Sequence, residues 1–95
     1  MITHYREYCL FCGKPREDIH HVICGRGYKR LADEDGLTAP VCRSCHEAIH
    51  RSEIAMKLSK MLGQMAWEKH LIATEGVSED EAREQFRIRY SRSWL

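Results

Sequence analysis

The chain has 95 residues, a formal net charge of +1 and five cysteines. A chain of this length forms one domain with a modest core, which metals or cross-links often reinforce. It lacks the roughly 18 consecutive apolar residues that a membrane span needs, and its small net charge excludes a general attraction to polyanions. Any nucleic-acid binding must therefore come from local patches.

The cysteines favour a reducing compartment over a secreted disulfide framework. Their number is odd, four of them form two C-x-x-C pairs, and the chain begins without an apolar signal segment. Thiols stay reduced in the cytosol, where they are available to metals. We therefore expect a cytoplasmic protein.

The two pairs, Cys9 with Cys12 and Cys42 with Cys45, predict a closed structural zinc site. A C-x-x-C turn presents two sulfurs to one ion, and two such turns complete the tetrahedron that zinc prefers. The long stretch between the pairs can hold a hairpin. Bound zinc is expected to contribute on the order of 10 kcal/mol to folding. The fifth cysteine, Cys24, fits a small half-buried residue and is not assigned to a site.

Two histidine pairs accompany the cysteines. The first lies in residues 18–25, whose β-branched content and closing glycine predict a strand. Neighbouring strand side chains point to opposite faces, so His20 and His21 are expected to differ in role, one as a metal ligand and the other as a general base. His46 and His50 are four residues apart, and this spacing places both on one face of a short helix, where they can reach a common metal.

A basic segment follows the first histidine pair. Residues 26–30 read as a glycine-flanked loop that could contact phosphates, and the alternative is an ordinary solvated loop. The candidate nucleic-acid contacts are Arg26, Lys29, Arg30 and Arg43. The arginines near the C-terminus are partly offset by acids, so a solvated surface is favoured there, with Arg87 and Arg89 as exceptions.

The second half of the chain predicts two helices. The first begins at Ser52 and ends near Gly76, a good C-cap. Its apolar stripe consists of Ile54, Leu58, Met61, Leu62, Met65 and Ile72. Ser78 with Glu81 fits a capping box, and a second stripe follows in Ala82, Phe86 and Tyr90. We expect the Met-rich stripe to pack in the core between the two helices; the alternative is a partner-binding groove.

Residues 9–50 resemble the HNH endonuclease family. The resemblance rests on Cys9-Leu10-Phe11-Cys12, on His20-His21-Val22-Ile23 and on residues 40–50, Pro-Val-Cys-Arg-Ser-Cys-His-Glu-Ala-Ile-His. It implies an α+β fold, in which a zinc-stapled, treble-clef-like ββα-metal core is followed by two C-terminal helices. The whole chain, 1–95, would form one domain, with residues 52–95 packed on the core.

The resemblance also implies roles for the site residues. His20, His46 and His50 would hold a catalytic divalent cation, Mg²⁺, Mn²⁺ or Zn²⁺, while His21 would act as the general base. The four paired cysteines would hold structural Zn²⁺. The implied activity is hydrolysis of phosphodiester bonds in DNA, with RNA as the alternative substrate, by a one-metal mechanism.

The chain departs from the family pattern because it contains no asparagine. The family's central asparagine holds the hairpin loop and orients the base, so here that role passes to Asp35, Thr38 or a backbone carbonyl, or is lost. A second, looser resemblance is to small phage-encoded HNH-like proteins, which would place the chain in a bacterial or phage-infected cell. Two other functions stay open: a weak or inactive zinc-binding nucleic-acid module, and a treble-clef adaptor that binds proteins through its Met-rich helix.

Overall fold

The fold is α+β, with one two-stranded sheet and four helices. The computed structural model describes all residues, 1–95. In chain order the elements are β1 (Asp18–His21), α1 (Lys29–Glu34), β2 (Thr38–Val41), α2 (Arg43–Arg51), α3 (Glu53–Glu75) and α4 (Glu79–Tyr90). The strands are antiparallel, with His20 opposite Ala39 and His21 opposite Thr38. None of the helices is both long and apolar enough to cross a membrane.

A short helix, α1, lies where the sequence predicts a basic loop. Lys29 and Arg30 form its first turn. Tyr28, the aromatic residue of the predicted loop, packs against the core with its ring 5.5 Å from that of Trp94. Ala32 is fully buried on the inner face of the helix. The expectation of a loop is therefore wrong from Lys29 onward, because apolar residues on both sides of the basic pair anchor this segment to the core, while Arg26, Lys29 and Arg30 are exposed.

The ends of the two long helices confirm the predicted boundaries. The Ser52 hydroxyl accepts a hydrogen bond from the Ala55 N–H at 3.1 Å at the start of α3, and Gly76 closes that helix with a left-handed φ of 68°. At the start of α4 the Ser78 hydroxyl accepts from the Glu81 N–H at 3.1 Å. Side chains and glycine thus satisfy backbone groups that the helix itself leaves unpaired.

The buried face of α3 differs from the predicted one. Ile54, Leu58 and Met65 are 74%, 57% and 56% exposed. The buried positions of the helix are instead Ser59, Gly63, Gln64 and Glu68. The prediction that the Met-rich stripe packs in the core is therefore wrong for these three residues.

Close packing at Gly63 explains why a polar face points inward. A Cβ atom on Gly63 would lie 2.7 Å from a side-chain carbon of Ile23 and 2.8 Å from one of Val22. Only a glycine lets α3 come this near to the chain that leaves β1. The neighbouring polar residues Ser59 and Gln64 are buried with hydrogen-bond partners, which removes most of the penalty for burying them.

The main core draws on both halves of the chain. Its fully or nearly buried members are Val22, Ile23, Ala32, Leu37, Ala39, Phe86, Tyr90 and Trp94. Asp35, at the end of α1, ties the halves together, since it accepts hydrogen bonds from the Tyr90 hydroxyl at 2.7 Å and from the Trp67 ring N–H at 3.1 Å. These hydrogen bonds connect the end of α1 to α3 and α4.

Candidate metal centres

The four paired cysteines converge on one point. The sulfurs of Cys9, Cys12, Cys42 and Cys45 all lie within 4.8 Å of one another, and those of Cys12 and Cys42 are 3.6 Å apart. A tetrahedral zinc ion with bonds of about 2.3 Å needs its sulfurs roughly 3.8 Å apart. These four cysteines can therefore hold a structural metal ion such as zinc.

Hydrogen bonds around the cysteines favour the thiolate form at Cys9 and oppose it at Cys45. Burial opposes ionisation of Cys9, but backbone hydrogen bonds with Cys42, Phe11 and Cys12 outweigh it and lower the pKa of Cys9 to about 6. The hydrogen bond with Cys42 raises the pKa of Cys45 to about 12. The Cys45 N–H also donates to the Cys42 sulfur at 3.4 Å, at the start of α2. Backbone N–H groups thus lie beside the sulfurs of Cys9 and Cys42, where they can stabilise a thiolate.

Three histidines form a second cluster, which we call the histidine trio. His20 comes from β1, and His46 and His50 come from one face of α2. Each has a ring nitrogen within 4.8 Å of the others', and the ring centroids are 4.9 to 5.6 Å apart. The three residues that the HNH resemblance assigns to a catalytic cation are therefore brought together, while their role as ligands stays a prediction.

Ser59 fixes the tautomer of His20. The Ser59 hydroxyl donates to the Val22 carbonyl at 2.8 Å, so it must accept from the Nε2–H of His20, which is also 2.8 Å away. The other nitrogen, Nδ1, then carries a lone pair, yet it is buried and has no hydrogen-bond partner. Such a group costs about 1–3 kcal/mol unless something binds it. A metal ion is a suitable partner, so the trio fits a cation.

Asp18 orients His46 in the same manner. Its carboxylate lies 3.3 Å from Nδ1 of His46 and can only accept, which leaves Nε2 of His46 free. Burial, and then the neighbouring His46, lowers the pKa of His20 to about 4. His20 is thus neutral near pH 7, as a metal ligand must be. Neither Ser59 nor Asp18 was predicted as a site residue, because only the fold brings them to the histidines.

His21 lies beside the trio but outside it. Its Nε2 is 2.7 Å from a carboxylate oxygen of Asp33, so this nitrogen carries the proton and Nδ1 is free to accept one. His21 and the trio line one cavity of about 390 Å³, together with Lys29. His20 and His21 therefore differ in environment, although they are adjacent in sequence.

Asp33 is the acidic side chain that contacts His21, at 2.7 Å. Of the groups that the sequence suggested for the role of the missing asparagine, Asp35 is engaged with Tyr90, Trp67 and Arg89, and Thr38 pairs with His21 only through the sheet. The sequence offered little signal for Asp33, because its contact with His21 depends on how the fold brings the two residues together.

The predicted nucleic-acid contacts are scattered. Lys29 lines the histidine cavity, and Arg26 lies in the turn before α1. Arg30 pairs with Glu34 at 3.9 Å, and Arg43 pairs with Glu17 at 3.7 Å. The exceptions proposed near the C-terminus are also paired, Arg87 with Glu84 and Arg89 with Asp35. Of these predicted cations, Lys29 alone faces the histidine cavity.

Comparison with known proteins gives a family and one partial relative. A family model described as a protein of unknown function, DUF968, matches residues 4–76, which include both clusters. A protein named mitochondrial DNA mismatch repair protein mutS homolog, from Sarcophyton glaucum, is 35% identical over 52 residues. That match covers 50% of this chain and 5% of the relative. No solved structure matches the chain, and the matching family model is not that of the HNH endonucleases.

Proposed function

The chain belongs to the DUF968 family, and we propose that this member is a metal-dependent nuclease of the HNH type. One observation carries the proposal: three histidines with ring nitrogens within 4.8 Å of one another share a cavity with His21, whose proton-accepting nitrogen is left free by Asp33. Open sites of neutral nitrogen ligands beside a general base suit metal-assisted hydrolysis.

The histidine trio would hold the cation of this reaction. A divalent ion bound there supplies positive charge opposite the negative charge that develops on the phosphate and the leaving oxygen. The chain's own residues keep the trio in the required state: Ser59 holds the proton of His20 on Nε2, and Asp18 does the same on Nδ1 of His46. Three protein ligands leave coordination positions open for substrate and water.

His21 would take the proton from the attacking water. Its Nδ1 accepts that proton while Nε2–H stays hydrogen-bonded to Asp33, whose carboxylate stabilises the imidazolium that forms. This is the orienting role that an asparagine has in the resembling family. The side chain of His21 is 24% exposed, so water reaches it.

Nucleic acid is the proposed substrate class. The relative from Sarcophyton glaucum is named for DNA mismatch repair, and Lys29 places a cation on the wall of the histidine cavity. We therefore propose DNA as the substrate, with cleavage of its phosphodiester bonds.

A plasmid cleavage assay tests the proposal. Zinc-loaded protein with added magnesium or manganese should nick or cut plasmid DNA, and the His21→Ala variant should retain its metals yet lose about 10²-fold or more of the rate. His70→Ala, which changes an exposed histidine on α3, is the matched control and should cut like the wild type. Equal cutting by the His21 and His70 variants would refute the assigned base.

A protein-binding adaptor is the second candidate function. The observation that favours it is the apolar face of α3, where Ile54, Leu58 and Met65 are more than half exposed. Such an adaptor needs the structural metal but not the histidine cation. One metal ion per chain and no cleavage would favour the adaptor over the nuclease.

A further inference from the structure

A second cavity, next to the histidine trio, has strongly basic walls. It measures about 550 Å³ and lies between the start of α3 and the segment after α4; we call it the cationic cleft. Its cations are Arg51, Lys57, Lys60 and Arg92, against a single acid, Glu53. The entire chain has a net charge of only +1, so positive charge is concentrated here.

Most of these cations have no acidic partner. Lys57, Lys60 and Arg92 form no ion pair, while Arg51 pairs with Glu47 at 3.7 Å on α2. Arg30 and Arg43, which the sequence suggested as phosphate contacts, are paired with carboxylates. Three cations of the cleft are therefore free to bind an anion.

Trp94 positions two of these three unpaired cations, Lys60 and Arg92. Its ring is almost buried, and its backbone N–H donates to the Gln64 side chain at 2.7 Å. The guanidinium of Arg92 lies 4.8 Å from the centre of this ring, and the ammonium of Lys60 lies 5.7 Å from it. Cation–π attraction thus holds both charges in the cleft without neutralising them.

The cleft adjoins the histidine cavity. His50 lines both, and Lys57 and Lys60 lie on the part of α3 that includes Ser59, the partner of His20. A ligand that reaches from one cavity into the other must carry anionic groups at intervals along an extended chain. A nucleic-acid backbone has this property, with one phosphate per nucleotide.

We propose that the cationic cleft binds the phosphodiester backbone that flanks the phosphate at the histidine trio, through Lys57, Lys60 and Arg92. The inference rests on the proposed nuclease function and adds the path of the strand across the protein. That path leaves the trio along α3 and the segment after α4.

Salt-dependent binding tests this path. Labelled DNA and RNA oligonucleotides of one sequence are titrated in the His21→Ala background, so that the strand stays intact. Replacing Lys57, Lys60 and Arg92 with Gln together should weaken binding on the order of tenfold or more and make log K against log salt shallower by about 2 to 3. The matched control, Arg6→Gln with Arg16→Gln and Lys69→Gln, has the same net charge and changes no residue of the cleft.

A single substitution guards against misfolding of the triple variant. Lys57→Gln removes an exposed cation that makes no ion pair, and it should make the slope shallower by about 1, whereas Lys69→Gln on the same helix should not. Cleft variants with the same affinity and salt dependence as their controls would overturn the proposed path. In that case, cleavage of plasmid by the wild type would still support the nuclease function. Failure of the wild type both to bind and to cut would overturn both. If the cleft variants have a shallower dependence of log K on log salt than the wild type with RNA but not with DNA, the strand bound in the cleft is RNA.

Discussion

Three residues outside the predicted site determine which histidine nitrogens are available. Ser59, Asp18 and Asp33 each accept a hydrogen bond from a ring N–H, that of His20, His46 and His21 respectively. A histidine can be recognised in a sequence, but its tautomer cannot, because the partner that fixes it comes from a distant segment. Ser59 is 39 residues from His20, and its contact depends on the docking of α3.

Ser59→Ala should weaken cation binding at the trio by about 10–100-fold, because the Nε2–H of His20 loses its acceptor. The cysteine cluster should keep its metal. Titration of the zinc-loaded protein with manganese, followed by the paramagnetic effect on the histidine resonances, measures this affinity. Thr74→Ala removes an exposed hydroxyl from the same helix and serves as the control. Equal manganese affinity in the two variants would show that Ser59 does not orient the ligand.

At the level of the elements, the approach of α3 to the chain after β1 depends on one glycine. The space that a Cβ atom of Gly63 would need is taken by Ile23 and Val22, whose side-chain carbons would be 2.7 and 2.8 Å away. Ser59 lies one turn earlier on the same helix, so the spacing at Gly63 also sets the hydrogen bond to His20.

Gly63→Ala should destabilise the protein by about 1–3 kcal/mol, because overpacking outweighs the gain of roughly 1 kcal/mol that alanine brings to a helix. Urea unfolding of the metal-loaded protein measures the change. Ala73→Gly, at an exposed position of the same helix, gives the effect of propensity alone and should cost about 1 kcal/mol. A Gly63→Ala variant that is as stable as the wild type would contradict the close packing.

Helix ends were predictable from the sequence, whereas the buried face of α3 was not. Ser52, Gly76 and Ser78 act on backbone groups a few residues away, so their effect can be read locally. Which face of α3 turns inward depends instead on the packing of Gly63 and on hydrogen bonds of Ser59 and Gln64 to residues distant in sequence, Val22 and Trp94. Periodicity alone pointed to the apolar stripe that the structure leaves largely exposed.

For the molecule as a whole, α2 links the two clusters. Cys42 caps this helix, Cys45 lies in its first turn, and His46 and His50 follow on the same element. A metal in the cysteine cluster would tie the N-terminal turn that carries Cys9 and Cys12 to the helix that presents two trio ligands. The spacing of the ligands predicted the cysteine cluster and the pairing of His46 with His50, because ligands close in sequence on a turn or helix are also close in space. The place of His20 beside that pair was implied by the HNH resemblance and not by spacing.

The distribution of positive charge on the surface also depends on contacts between segments that are distant in sequence. The basic segment 26–30 was visible in the sequence, yet its tyrosine packs in the core and its Arg30 faces Glu34. The cationic cleft is formed by residues of α2, α3 and the segment after α4, so it does not correspond to a run of basic residues in the sequence.

The number of metal ions per chain is the most direct test of the proposal that the histidine trio holds a second, catalytic cation. Protein equilibrated with zinc and manganese and then desalted is analysed by elemental mass spectrometry, alongside His46→Ala and the exposed-site control His70→Ala. The account predicts two ions per chain in the wild type and in His70→Ala, and one, held by the cysteines, in His46→Ala. A single ion in the wild type, or the same count in His46→Ala as in the wild type, would contradict it.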